Sequence, residues 1–171
     1  METARLCEAR TDAEFVEAAA LIDEYAAALE VDLCFQNFAY ERAHLREMYG
    51  PPGGCLLMAR QGARLVGCVG IRQFGNGACE MKRLYVRPSA RGQKVGRRLT
   101  VAAIEKARIL GYGRMVLDTL ASMQAAQSLY RSLGFHDRPP YHASPVEGVT
   151  YMELTLSADQ SPEGKNHADP R

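Results

Sequence analysis

Glu80-Met81-Lys82-Arg83-Leu84-Tyr85-Val86, followed four residues later by Arg91-Gly92-Gln93-Lys94-Val95-Gly96, is the stretch whose reading decides the fold. Leu84, Tyr85 and Val86 give the first piece strand character. The second piece holds two glycines and opens an apolar helix from about Gly96 to Leu110. A strand that feeds a helix through such a loop aims several free N–H groups and the positive helix end at one point, a geometry that binds phosphate. Lys82, Arg83, Arg87, Arg91, Lys94, Arg97 and Arg98 all lie between positions 81 and 98, with no acidic residue among them. A charge run is commonly a solvated face, but here the order of parts favours an anion site. Neither G-x-x-x-x-G-K-[ST] nor G-x-G-x-x-G occurs, which argues against ATP or a nicotinamide dinucleotide as the ligand.

Outward from this segment the chain alternates between two periods. Residues 4–10 suit an opening strand, and Thr11 or Asp12 can cap a helix carrying Phe15, Ala18, Ala19, Ile22, Ala26 and Leu29 at helical spacing. A second helical stretch, Asn37 to Tyr49, stops at Gly50-Pro51-Pro52-Gly53-Gly54. Cys55–Arg60, Arg64–Arg72 and Ala78–Val86 then read as an antiparallel meander with tight turns at Gln61-Gly62-Ala63 and Gly75-Asn76-Gly77. After the helix ending at Gly111 and Gly113 comes a strand, Arg114–Leu120. Ser122 is expected to cap a helix over Met123–Leu133 with Gly134 as its stop, and the last strand lies near Val149–Leu156. The expected fold class is α/β, a mixed, mostly antiparallel central sheet flanked by helices. Residues 1–156 form one domain, and from Ser157 the composition predicts a flexible tail, 157–171.

The 171 residues carry a net charge of +1, with 47% hydrophobic and 24% charged residues, which excludes wholesale disorder and a nucleic-acid protein that works by global charge. The cysteines, Cys7, Cys34, Cys55, Cys68 and Cys79, are odd in number and widely spaced, without C-x-x-C. Reduced thiols and a cytoplasmic location are the expectation, and no metal site is. No apolar run reaches the ~20 residues of a membrane span, and Glu2, Arg5, Glu8 and Arg10 break up any signal-peptide core.

The quoted stretch resembles the acetyl-CoA-binding motif of the GNAT N-acetyltransferase superfamily, commonly written [RQ]-x-x-G-x-[GA]. Arg91 and Gly96 match its ends, and Lys94 stands where the internal glycine is usual. Leu129-Tyr130-Arg131-Ser132-Leu133-Gly134-Phe135 is similar to the family's LY-x-x-x-GF signature, with Met123 where an asparagine often contacts pantetheine. With the element order, the likeness extends over roughly residues 4–156 and points to a single-domain member of bacterial type.

What the resemblance implies is transfer of an acetyl group from acetyl-CoA to a primary amine by direct attack within a ternary complex. The cofactor-binding residues would be Leu84, Tyr85, Val86, Arg91, Gly92, Gln93, Lys94, Val95, Gly96, Arg97 and Met123. The strand equivalent to Leu84–Val86 would splay from its neighbour, offering free backbone groups to pantetheine and to the thioester oxygen. Tyr130 matches the family's general acid, although its ring could simply pack on the sheet. Glu80 matches a catalytic glutamate that takes the amine proton through a water, although it could simply be solvated or paired with Lys82. Lys94, a poor residue for positive φ, is expected at φ < 0 with its ammonium turned toward solvent or a phosphate. Phe35, Tyr40 and Tyr141 are candidates for the acceptor wall, where aromatic and acidic character would suit a cation. His136, His142 and Asp118 read as loop and strand residues without a ligand or triad pattern. The acceptor would be a small-molecule or protein amine, the chain a monomer or homodimer, with no nucleic acid and no membrane partner. The alternative is a non-catalytic CoA-binding or interaction domain on the same scaffold.

Overall fold

The computed structural model describes residues 3–34 and 37–156. The predicted tail and Phe35 lie outside the described residues. The opening strand is β1, Arg5–Glu8, and Thr11 caps α1, Asp12–Ala28. The Thr11 hydroxyl accepts the Glu14 N–H while the Glu14 carboxylate accepts the Thr11 N–H, so two otherwise orphaned donors are satisfied at once. The stretch expected as one helix over 37–49 is two, α2 (Phe38–Ala43) and α3 (Leu45–Tyr49), because His44 leaves helical geometry at φ −124° and ψ 29°. That break brings Glu41 and Tyr49 to one interior point, where the tyrosine hydroxyl donates to the carboxylate at 2.9 Å.

The meander follows as β2 (Cys55–Gln61), β3 (Arg64–Gln73) and β4 (Ala78–Val86). A short 3₁₀ turn, Pro88–Ala90, leads toward α4 (Val95–Ile109). Next come β5 (Arg114–Thr119), α5 (Gln124–Ser132), β6 (His136–Arg138) and β7 (Thr150–Thr155). Ser122 does not cap α5: Met123 occupies the cap position, and no side chain bonds the free N–H groups there. The sequence does not mark β6, because its three residues are all polar and carry no readable period.

The seven strands make one sheet in the order β1-β2-β3-β4-β5-β7-β6. All neighbours are antiparallel except β4 and β5, which α4 connects as a crossover. Alternation in β2 sends Leu56 and Met58 toward α1 and α3, and Cys55, Leu57 and Ala59 toward α4, so each face of the sheet has its own apolar layer. The parallel pair runs only from Ala78 opposite Arg114 to Glu80 opposite Val116, and beyond it the strands separate.

The cause of the separation is written in the β3–β4 register. Cys68 faces Tyr85 and Gly70 faces Lys82, so Arg83 and Leu84 together stand opposite Val69 alone. Arg83 has φ +60°, a left-handed residue in mid-strand, and a bulge of this kind bends its strand away from the neighbour.

Candidate active site

The bulge is fixed by side chains. The Arg83 guanidinium is 3% exposed; its Nε and one terminal nitrogen each donate to a Glu41 oxygen at 2.8 Å. Phe38 lies under the guanidinium, 5.3 Å from ring centre to carbon. Burial pushes the Glu41 carboxyl toward neutrality, but the Arg83 bonds and charge, with the Tyr49 hydroxyl, outweigh it and hold its pKa below the usual range. Tyr49 reaches that position because its ring lies over Gly70, where a Cβ would come within 2.6 Å of it.

Where β4 and β5 part, a cleft of about 770 Å³ opens. Leu84, Tyr85, Val86, Arg91 and Gly96 line one side, and Leu120, Met123, Ala126 and Leu129 the other. A smaller cavity of about 60 Å³ shares Tyr25, Leu29, Leu84 and Met123 with the cleft and continues toward Lys82, Asp118, Thr119 and Tyr130. At the other end is the glycine loop. Among the described residues, none of the backbone N–H groups of Gly92 through Arg97 has a hydrogen-bond partner, and the first intrahelical bond of α4 is Arg98 N–H to Lys94 C=O. Six successive free donors at a helix N-terminus make a cradle suited to an anion.

Lys94 corrects the sequence reading. Its φ is +60°, not negative. It is the residue before the first turn of α4, and together with Gly92 at +76° it curls the loop so that the free N–H groups converge. The side chain is exposed, so the lysine holds a backbone conformation usually left to glycine without burying its charge.

Tyr130, 6% exposed, lines the inner cavity, and its hydroxyl has no hydrogen-bond partner among the described residues. Its ring packs on Phe135 at 5.7 Å, and burial raises its pKa well above that of a free phenol.

Glu80 sits behind the cavity and does not line it. Its carboxylate accepts from Arg72 at 2.9 and 3.0 Å, from Lys82 Nζ at 3.2 Å and from the Tyr141 hydroxyl at 3.0 Å. The carboxylate that does line the cavity is Asp118. It faces Lys82 Nζ at 3.6 Å and His142 Nε2 at 3.1 Å. His142 thus joins the site although its sequence context had suggested only a loop. The signal that could have revealed these groups is that Lys82 and Arg83 sit in an inner strand between Met81 and Leu84, where a charge must find a buried partner.

Among the expected cofactor residues, Leu84, Tyr85, Val86, Arg91, Gly96 and Met123 line the cleft. Val95 is buried in the core, Gln93 bonds Ser89 and Gln61, and Arg97 bonds Ser132. Tyr141 reaches Glu80 from the loop before β7, with Phe74, His142 and Tyr151 around its ring. Tyr40 does not line the cleft: α2 turns the adjacent Glu41 inward, so Tyr40 points outward and stacks on His44 at 4.0 Å. The basic run is no open charged face either. Lys82 and Arg83 are buried in ion pairs, Arg87 pairs with Glu24, and Arg98 donates to the Ala4 carbonyl. Among the described residues no cluster of His, Cys, Asp and Glu could hold a metal ion, and no helix is long and apolar enough to cross a membrane.

Known proteins resemble this chain in sequence and in fold. An N-acetyltransferase of Schizosaccharomyces pombe, itself uncharacterized, is 45% identical over 139 residues, 80% of this chain and 85% of that protein. An acetyltransferase of the GNAT family from Staphylococcus aureus superimposes with a TM-score of 0.74 at 18% identity, over 90% of this chain and 99% of that one. A Salmonella typhimurium structure solved with its cofactor acetyl-CoA matches with a TM-score of 0.63 at 22% identity, over 94% and 98% of the two chains. The model of the acetyltransferase (GNAT) family matches residues 19–135, more than half of the sequence, and the chain belongs to that family.

Proposed function

We propose that this acetyltransferase moves the acetyl group of acetyl-CoA to a primary amine by direct attack within a ternary complex. One juxtaposition carries the reading: the free N–H cradle of Gly92–Arg97 meets the cleft at Gly96, the parted edge of β4 lines it, and the inner cavity that shares its walls holds the Tyr130 hydroxyl, which has no partner among the described residues. Acetyl-CoA supplies a thioester carbonyl open to attack by an amine.

The chain's own groups then divide the work. The cradle, with Arg91 beside it, holds the diphosphate. The β4 edge beyond the bulge pairs with the extended amide arm, and its N–H groups stabilise charge developing on the carbonyl oxygen. As the N–C bond forms and the C–S bond breaks, an incoming ammonium gives up two protons in all. One of them restores the proton that Tyr130, kept protonated at neutral pH by burial, gives to the departing sulfur. The other leaves by way of Asp118 and the partly exposed His142 to water. Glu80 acts from behind: it anchors Lys82 and so sets the charge around Asp118 without touching the amine.

Release of CoA thiol from acetyl-CoA, followed over a panel of amines, tests the assignment. Thiol release that requires both substrates, with kcat lowered about 10²–10⁴-fold by Tyr130→Phe and unfolding unchanged, is the expected result. Tight acetyl-CoA binding with no release for any amine would reduce the protein to a CoA binder.

A further inference from the structure

Two polar groups of the inner cavity keep hydrogen-bonding capacity that acetyl transfer itself does not use. The Lys82 side chain is 4% exposed, and among the described residues its ammonium makes a single hydrogen bond, to Glu80. Asp118 Oδ1, 3.6 Å away, attracts it electrostatically but lies beyond good hydrogen-bond distance. An ammonium has three N–H donors, so two remain for an occupant of the cavity. The second group is the Thr119 hydroxyl, fully buried and without a hydrogen-bond partner among the described residues. Unpaired buried hydroxyls are rare and call for a partner. Both residues line the same small cavity, Lys82 from β4 and Thr119 from β5 across the split.

Resting on the transferase reading above, we propose that the acceptor is a small α-amino acid whose carboxylate is bound by Lys82 and Thr119. A carboxylate is acceptor-only, the complement of an ammonium and a free hydroxyl. The opposite charge is already beside them: Asp118, adjacent to Thr119 in sequence, offers an anion to the amino group. The Lys82–Asp118 pair is therefore a dipole of about the span separating the ammonium and carboxylate of a single amino acid. A cavity of about 60 Å³ has room for roughly four to six water-sized atoms, the size of glycine or alanine. Leu29 and Leu33 close the wall with apolar surface and offer nothing to a charged side chain. A simple amine would leave Lys82 and Thr119 unpaired, and a peptide N-terminus would present them with a neutral amide.

The test compares matched acceptors: alanine, alaninamide and ethylamine, with glycine, glycinamide and methylamine as the smaller set. Each is measured by CoA-thiol release and by calorimetric titration of the CoA-loaded protein. The expected result is that kcat/KM for the amino acid exceeds that for its amide and its amine by about 100-fold or more, because an analogue lacking the carboxylate strands buried donors. Lys82→Met should collapse that ratio below about tenfold. Should that variant fail to fold, Thr119→Val removes only a hydroxyl that has no partner, and it should lower the ratio about three- to tenfold.

Equal use of amide, amine and acid by the wild-type protein overturns the inference and leaves the transferase reading standing. Binding of amino acids that depends on Lys82, without any thiol release, keeps the carboxylate site and overturns the transferase reading instead. Neither binding nor release overturns both.

Discussion

Arg83 and Lys94 are both basic, both lie in the segment that shapes the cleft, and both have φ +60°. Their surroundings could hardly differ more. Arg83 is buried at a bulge, and Glu41, Tyr49 and Phe38 define its side chain on several sides. Lys94 stands before α4 with its side chain in solvent and no side-chain cap bond. A left-handed conformation costs a non-glycine residue about 1–2 kcal/mol. At the strand end that cost is overcome by a buried ion pair that can exist in only one geometry. At the loop end nothing local offsets it, and the conformation serves to converge free N–H groups. In the proposed function, one site would fix where the thioester lies, the other how firmly the diphosphate is held.

The comparison predicts unequal sensitivity, beginning with the buried end. Arg83→Ala leaves the Glu41 carboxylate buried beside Tyr49 alone, and removing one partner of a buried pair costs about 3–5 kcal/mol. For a chain of this size that lowers Tm by roughly 6–20 °C. Glu41→Gln can keep the bonds made at one oxygen, but its NH2 cannot accept the remaining Arg83 N–H and the arginine charge is left uncompensated, so a loss of about 1–3 kcal/mol is expected. Urea unfolding measures both. Wild-type stability in Arg83→Ala would mean that the backbone alone holds the bulge, and the two sites would then be equivalent.

Alkaline pH separates the two ends next. Burial pushes the thiols of Cys55, Cys68 and Cys79 up to about 12, well above the ordinary range of a thiol, and raises Tyr49 and Tyr130 as well. Above pH 9 the unfolded chain releases these protons first, so it binds fewer protons than the native state and stability falls as pH rises. The slope approaches about 1.4 kcal/mol per pH unit for each thiol between pH 9 and 12. Glu41 works in the other direction: its depressed pKa contributes stability that is lost as pH falls below the ordinary carboxylate range. A Tm series from pH 4 to pH 11 should therefore decline at both limbs, the alkaline one more steeply. A flat profile above pH 9 would contradict the burial of these groups.

The same contrast explains how much could be read from the sequence. The loop end was legible because its information is local: a strand, glycines at set spacing, a helix start. Even there, the backbone angle of Lys94 was misjudged, since the energetic preference of lysine says nothing of the convergence the loop needs. The meander and α1 were legible for similar reasons, from alternating apolar residues, turn glycines and the Thr11–Glu14 pair. The strand end was not. Glu41 lies in a short helix that looks solvated, 42 residues from the arginine it binds, and no period connects them. The Asp118–His142 contact likewise joins β5 to a loop 24 residues on. Glu80 was singled out by motif, with pairing to Lys82 as the alternative, but that Arg72 and Tyr141 also enclose it depends on β3 and the loop before β7 meeting there. Charge pairing across a fold is a tertiary fact, and a linear reading sees only a basic run.

The smallest effects are expected at Lys94, and there the outcome is decided by which part of the residue matters. Lys94→Ala keeps the left-handed backbone and removes an exposed ammonium, whose ion pair with a phosphate is worth about 0–1 kcal/mol. The KM for acetyl-CoA should rise no more than about fivefold, and less at high salt. Lys94→Gly removes the ammonium too but relieves the strained φ, so it should bind acetyl-CoA as Lys94→Ala does while gaining about 0.5–1 kcal/mol in stability. The pair of variants thus separates charge from conformation. If Lys94→Gly instead tightened acetyl-CoA more than tenfold over wild type, the lysine side chain would be obstructing the groove. The exposed site would then resemble Arg83 in having a side chain that determines what the backbone can do.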